Sequence, residues 1–362
     1  MLKQAKLILE DGSEYLGTSF GYEGSVAGEM VFNTAMTGYP ESLSDPSYRG
    51  QILVTTFPLI GNYGVPGDRK EDDLFRHFES EKIQLSGFVV SDYTEDFSHW
   101  NASLSLSDWM KEHKIPGIYG VDTRALTKKL RNGGSMKAKI VFDDQDLPFE
   151  DPNSRHLVSE VSTTEIKSYG NGKHKVLLLD CGVKNNIIRC LLKRDTTITR
   201  VPYDFDFTNE DYDGLFISNG PGDPKLNVKA IEHVRTAISQ DRPIMGICLG
   251  TQLMALAAGA DTYKLKYGHR SHNQPVLLNG TKRCFITSQN HGYAINTDTL
   301  PSDWEVLFEN ANDNTCEGIK HKTKPFFASQ FHPEASSGPT DTEFLFDDFI
   351  EMMEKYKDKR VK

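Results

Sequence analysis

The chain has 362 residues, of which 38% are hydrophobic and 25% charged, and carries a formal net charge of −10. That length fits two domains with separate cores, and the acidic balance offers no basic excess to neutralise phosphates, which argues against a nucleic-acid binder. No apolar run reaches the roughly 18 residues of a membrane span, and five cysteines without a C-x-x-C spacing suggest neither a disulfide framework nor a metal site.

Met1-Leu2-Lys3-Gln4-Ala5-Lys6 leads into a strand pattern and not a signal-peptide core, so the cytoplasm is the expected compartment. Residues 1–142 read as a mixed β/α domain. Lys6–Glu10 and Glu14–Gly17 flank Asp11-Gly12-Ser13, a hairpin signal. Glu29–Asn33, Gln51–Phe57 and Gly87–Ser91 predict further strands, and helices are expected over Leu104–Lys114 and Thr123–Leu130. The polar stretch 143–173 reads as a partly ordered interdomain connection.

From residue 174 the pattern changes. Val176-Leu177-Leu178-Leu179-Asp180 is a continuous apolar run, as expected of a strand covered on both faces. A helix bearing Ile187, Ile188, Leu191 and Leu192 follows, then strands at Thr197–Val201, Leu215–Ser218 and Ile244–Ile247, with a helix over Val228–Ser239. Such β-α alternation predicts a doubly wound, mostly parallel sheet over 174–362. After about residue 262 short strands and turns are expected, and a helix over Thr342–Tyr356 closes the domain.

The chemistry-bearing residues lie at predicted strand ends. Gly246-Ile247-Cys248-Leu249-Gly250 joins a strand to a helix with the form of a nucleophile elbow, and a helix N-terminus favours thiolate over thiol. Phe331-His332-Pro333-Glu334 follows another strand and supplies a histidine with a carboxylate two positions on, able to fix its tautomer and support its charge. Alone, either motif is a packed thiol or a satisfied loop histidine; together in one α/β domain they favour a Cys–His–Glu triad. Ser218-Asn219-Gly220-Pro221-Gly222-Asp223-Pro224 would place backbone N–H groups beside the nucleophile, with Leu249 N–H as a second oxyanion donor.

These motifs together resemble class I glutamine amidotransferases. The front half narrows the resemblance to carbamoyl phosphate synthetase small subunits, through Phe32-Asn33-Thr34-Ala35-Met36-Thr37-Gly38-Tyr39, Asp45-Pro46-Ser47-Tyr48, Pro58-Leu59-Ile60-Gly61-Asn62-Tyr63-Gly64 and Val121-Asp122-Thr123-Arg124. The resemblance implies a swivelling β/β/α type for the first domain. It also implies Cys248 as nucleophile, His332 as general base and acid, and Glu334 as its orienter. Glutamine contacts carry over to Ser47, Gly220, Gly222, Leu249, Gln252, Asn290, Gly292 and Tyr293.

The implied reaction hydrolyses glutamine and channels ammonia to a large partner subunit, in a heterodimer that makes carbamoyl phosphate for arginine or pyrimidine synthesis. No phosphate loop of the G-x-x-x-x-G-K-[ST] form occurs, so ATP and Mg are expected on the partner and no cofactor or metal on this chain. The competing readings are an amidotransferase subunit of an anthranilate or GMP synthase, and a non-catalytic scaffold. Thr251, Ser271, Cys181 and Ser337 depart from the family pattern, Thr251 nearest the nucleophile. Cys181 and Cys190 are expected as small core residues, and His99, His113 and His233 as structural or surface groups.

Overall fold

The structure, a computed structural model, describes residues 3–361 other than position 144; Met1, Leu2, Asp144 and Lys362 lie outside the described residues. The chain forms two compact units, Met1–Arg155 and His156–Lys362.

In the first unit seven strands close a barrel in the order Gln4–Leu9, Met136–Phe142, Val26–Asn33, Gln51–Thr55, Gly87–Val89, Gly117–Tyr119 and Glu14–Ser19. Residues adjacent along a strand point to opposite faces, and here both faces are covered. Met30, Ile52, Val54 and Val89 enter one apolar cluster, while Val31, Leu53 and Phe88 enter another. The helix Thr123–Gly133 starts at Asp122, whose carboxylate accepts the Ala125 N–H at 2.8 Å, and buries Leu126 and Leu130, one turn apart, in the first cluster. Closure removes exposed strand edges, which explains why so many short strands persist here.

The second unit is built on a ten-stranded sheet. Its parallel block runs Thr196–Pro202, His174–Asp180, Gly214–Ile217, Ile244–Ile247 and Phe326–Ser329. Leu177, Leu179, Leu215 and Ile217 pack on one face with helices Val228–Ser239 and Leu249–Ala258. On the other face Phe216 stacks on Phe346 of the helix Phe344–Val361, ring centroids 5.9 Å apart. Helices on both faces make the sheet doubly wound, as expected. Strands Cys316–His321, Trp304–Asn310, Asp261–Leu278 and Cys284–Asn296 extend it in antiparallel fashion.

Two expectations need correction. The stretch 143–173, expected as a partly ordered interdomain connection, divides between the units, and Lys167–Tyr169 is an edge strand paired with Thr196–Pro202, so the second unit begins before residue 174. The region after 262 contains not only short strands but two long ones, Asp261–Leu278 and Cys284–Asn296. Their pairing shifts register between Lys264 and His269 and again between Ser271 and Gln274. Such bulges break the period-two alternation by which a long strand is recognised.

Candidate active site

Cys248 sits between the strand Ile244–Ile247 and the helix Leu249–Ala258 with φ 55 and ψ −105. A non-glycine residue there costs of order 1–3 kcal/mol, and it is held in place by its surroundings. Its N–H donates to Ser329 O at 2.8 Å, tying the elbow to the neighbouring strand. A Cβ on Gly250 would run into the Ile217 carbonyl, so the helix can approach the sheet this closely only with glycine at that position. The thiol lies 3.7 Å from the Asn290 carbonyl.

The strand Phe326–Ser329 ends three residues before His332, whose N–H donates to Ser288 O at 2.9 Å. His332 Nδ1 lies 2.7 Å from Glu334 Oε1. The carboxylate only accepts, so Nδ1 carries the proton and Nε2 is the reactive nitrogen. Nε2 is buried without a hydrogen-bond partner, and the side chain acting on it is Cys248. Catalytic contacts are often loose before substrate binds.

Lys184 completes the arrangement. Its ammonium lies 3.0 Å from Glu334 Oε1 and donates to Ala335 O at 2.7 Å, with the side chain almost wholly buried. Burial opposes the charge on Glu334, but Lys184 and then His332 hold its carboxyl down at about 2. Burial likewise opposes the imidazolium, but Glu334 and the Cys248 contact raise the ring to about 10. The site therefore supports a proton on His332 once the thiol gives one up. Burial pushes the Cys190 and Cys316 thiols up to about 12 and raises Cys181, marking these as core thiols.

Of the remaining expected residues of the second unit, Gly220, Gln252 and Asn290 lie against the elbow or its helix. Gly220 packs so closely on Leu249 that a Cβ would lie 2.8 Å from Leu249 Cδ2. Gly222 adopts φ 85 in the same turn. Leu249 and Gly250 open the helix, where backbone N–H groups have no partner inside it. Gln252 Nε2 donates to Tyr293 O and to Gln330 Oε1, both at 3.0 Å, which links the helix to the Asn290–Tyr293 segment of the strand Cys284–Asn296. Gly292 lies where a Cβ would sit 3.2 Å from Arg270 Nη2. Ser47 belongs to the first unit, in the turn Pro46–Tyr48, where its N–H donates to Asp45 Oδ1 at 2.9 Å.

The departures from pattern have structural accounts. Thr251 is fully buried and donates to Ser329 O at 2.6 Å, beneath the elbow. Cys181 is fully buried and its N–H donates to Ser218 Oγ at 2.9 Å, while Ser271 Oγ accepts from Gln274 at 2.9 Å. Ser337 O accepts from Ser288 Oγ at 3.3 Å. His233 packs edge-on to Phe207.

Sequence reasoning missed Lys184 and Gln330. A signal for the first existed: Lys184 caps the start of the helix Asn185–Leu192, where the helix dipole disfavours a cation, so some partner had to hold it there. Among the described residues, one group of metal-ligating types, His269, His291 and Glu317, brings its donor atoms within 4.8 Å of one another.

Residues 177–352 match the family described as Glutamine amidotransferase class-I, and residues 7–140 match Carbamoyl-phosphate synthase small chain, CPSase domain. The chain is 53% identical over 96% of its length to "Multifunctional protein pyr1-3" of Dictyostelium discoideum, covering 17% of that protein. It is 51% identical over 99% of its length to "Multifunctional protein CAD" of Squalus acanthias, covering 16%. It is 50% identical over 98% to human "Carbamoyl-phosphate synthase [ammonia], mitochondrial", covering 24%. The chain thus spans a quarter or less of the length of these curated relatives. With both domain types matched in order along one sequence, the chain belongs to the carbamoyl-phosphate synthase small-chain family and carries a class I glutamine amidotransferase domain.

Proposed function

We propose that this chain is the glutamine-hydrolysing component of a carbamoyl-phosphate synthase. The observation that carries the reading is His332, hydrogen-bonded to Glu334 through Nδ1 and acted on by Cys248, with Nε2 buried and unpartnered. Cys248 Sγ gives its proton to His332 Nε2 and attacks the side-chain amide carbon of glutamine. The oxyanion is held by the N–H groups of Gly220 and Leu249. Collapse of the tetrahedral species expels the nitrogen, which takes the His332 proton and leaves as ammonia, and a thioester to Cys248 remains. His332 then takes a proton from water as that water adds to the thioester. Glutamate departs and Sγ recovers the proton.

Gly222, Gln252, Asn290, Gly292 and Tyr293 shape the glutamine pocket in this reading. Neutral ammonia passes to the large synthetase portion, which binds ATP and Mg and uses bicarbonate; that portion is a separate subunit or a further domain. One relative is named for ammonia as its nitrogen source; the assembled Cys248, His332 and Glu334 favour glutamine here. No helix among the described residues is long and apolar enough to cross a membrane, and cytoplasmic residence is part of the proposal, testable by cell fractionation. Cys248→Ala should lower glutamine-dependent carbamoyl phosphate synthesis by about a thousandfold or more while ammonia-dependent synthesis persists. Glutamine hydrolysis that survives in Cys248→Ala would overturn the reading.

A further inference from the structure

Behind the glutamine segment lies a second buried ionic cluster. His269, on the strand Asp261–Leu278, places Nδ1 3.2 Å from Glu317 Oε1 and Nε2 2.9 Å from Asp313 Oδ2. Both nitrogens face carboxylates, an arrangement satisfied by a doubly protonated ring. The directions agree: burial opposes the charge, but Asp313 and then Glu317 raise the ring to about 9. Glu317 is fully buried on the strand Cys316–His321, and Asn310 Nδ2 donates to its Oε1 at 3.0 Å. Its second oxygen has no partner.

From Glu317 the cluster reaches both halves of the active site. Oε1 lies 3.7 Å from His291 Nε2, and the His269 and His291 rings meet edge to face, centroids 4.9 Å apart. His291 Nδ1 lies 2.9 Å from Tyr293 O. A carbonyl only accepts, so this nitrogen is the donor; burial lowers the ring's pKa and leaves Nε2 without a proton, so its approach to Glu317 is packing and not a hydrogen bond. The Glu317 carbonyl accepts the Gln330 N–H at 2.8 Å, two residues before His332. Gln330 and the Tyr293 carbonyl in turn share Gln252. Asn290, whose carbonyl faces the thiol, stands directly before His291 in this frame.

We propose that His269, Glu317 and Asp313 are positioning residues for the glutamine reaction: their ion cluster holds the His269 ring edge-on to His291 and the Glu317 carbonyl on the Gln330 N–H, and so fixes the Asn290–Tyr293 segment against Cys248. A buried carboxylate with one cationic partner gives the segment a single arrangement, whereas a neutral cluster of the same shape leaves it free to shift. The cluster touches no reacting atom, so its effect falls on glutamine affinity. The inference rests on the glutaminase reading above.

The test is steady-state glutaminase kinetics of the full chain with Glu317→Gln, Asp313→Asn and the double variant His269→Gln/Glu317→Gln. Glu317→Gln should raise the glutamine KM by about tenfold or more and change kcat by less than about threefold. Asp313→Asn, at the outer and partly exposed end of the cluster, should raise KM by about threefold and decides the matter if Glu317→Gln does not fold. The double variant also removes the cation and leaves Asp313 without its partner, so it should raise KM at least as far as Glu317→Gln. Unchanged KM in folded variants, or an equal fall in kcat, would overturn the proposal. Wild-type protein and Cys248→Ala run beside them separate the two failures: a wild type that does not hydrolyse glutamine removes the reading, and an active wild type with insensitive variants removes only this inference.

Discussion

Among the described residues of the second unit, two histidine–carboxylate centres have a fully buried carboxylate, and they differ in what the second ring nitrogen meets. At His269 both nitrogens are taken, one by Glu317 and one by Asp313. At His332 one nitrogen is taken by Glu334 and the other is left to face Cys248. The carboxylates are alike, with burial opposing their charge and cationic neighbours holding Glu317 and Glu334 at about 2. A histidine with both nitrogens engaged holds structure; one with a nitrogen to spare can carry a proton. The chemistry is thus decided by a vacant valence and not by the strength of the ion pair.

The largest separation should come from neutralising each carboxylate. Glu334→Gln leaves the Lys184 ammonium beside His332 with no anion between them and allows the ring to turn. We expect kcat to fall by about a hundredfold or more with KM little changed. Glu317→Gln acts in the opposite column, on KM. If Glu334→Gln moved KM alone, the two centres would not be divided as described. Single-turnover release of glutamate measures the first effect without interference from product release.

A smaller and slower signature lies in stability against pH. The His269 ring, about 9 when folded against an ordinary 6.5, contributes fully below 6.5 and loses its contribution as pH rises through about 9. Glu317 and Asp313, both held at about 2, contribute fully above their ordinary 4.5 and 3.8 and lose it as pH falls towards 2. The gap in urea midpoint between wild type and His269→Gln should therefore be widest from about pH 4.5 to 6.5 and close on either side. A gap constant through pH 10 would show that His269 carries no charge worth keeping.

Legibility followed sequence distance. The elbow at Cys248 and the His332–Glu334 pair are local patterns, each confined to a few residues, and their strands and helices lie where apolar periodicity places them. The helix Val228–Ser239 was readable to the residue because its buried face, Ala230, Ile231, Val234 and Ala237, follows helical spacing without interruption. The barrel of the first unit was legible only as a set of strands, since closure depends on pairings such as Gln4–Leu9 with Met136–Phe142 that no local pattern encodes. The His269–Glu317 cluster draws on two strands and the turn that carries Asp313, and the bulges flanking His269 hide even the strand that carries it. Lys184 was within reach, as a cation placed against a helix dipole.

Thr251 tests how far the catalytic centre depends on its floor. It stands where the family resemblance leads one to expect a histidine, yet its hydroxyl donates chiefly to the Ser329 carbonyl that also receives the Cys248 N–H at 2.8 Å, with the Gly246 carbonyl farther off at 3.4 Å. Thr251→Ala removes one of these two donors and leaves the other, so the carbonyl is not orphaned. We expect a loss of about 1 kcal/mol in stability and a change in kcat/KM below about threefold. The elbow is held by the Gly250 approach and by the Cys248 N–H, neither of which passes through Thr251. A fall in kcat comparable to that of Glu334→Gln would mean instead that the Ser329 carbonyl, and with it the strand leading to His332, takes its position from this hydroxyl. The spare nitrogen of His332 would then be aimed from below as well as from Glu334.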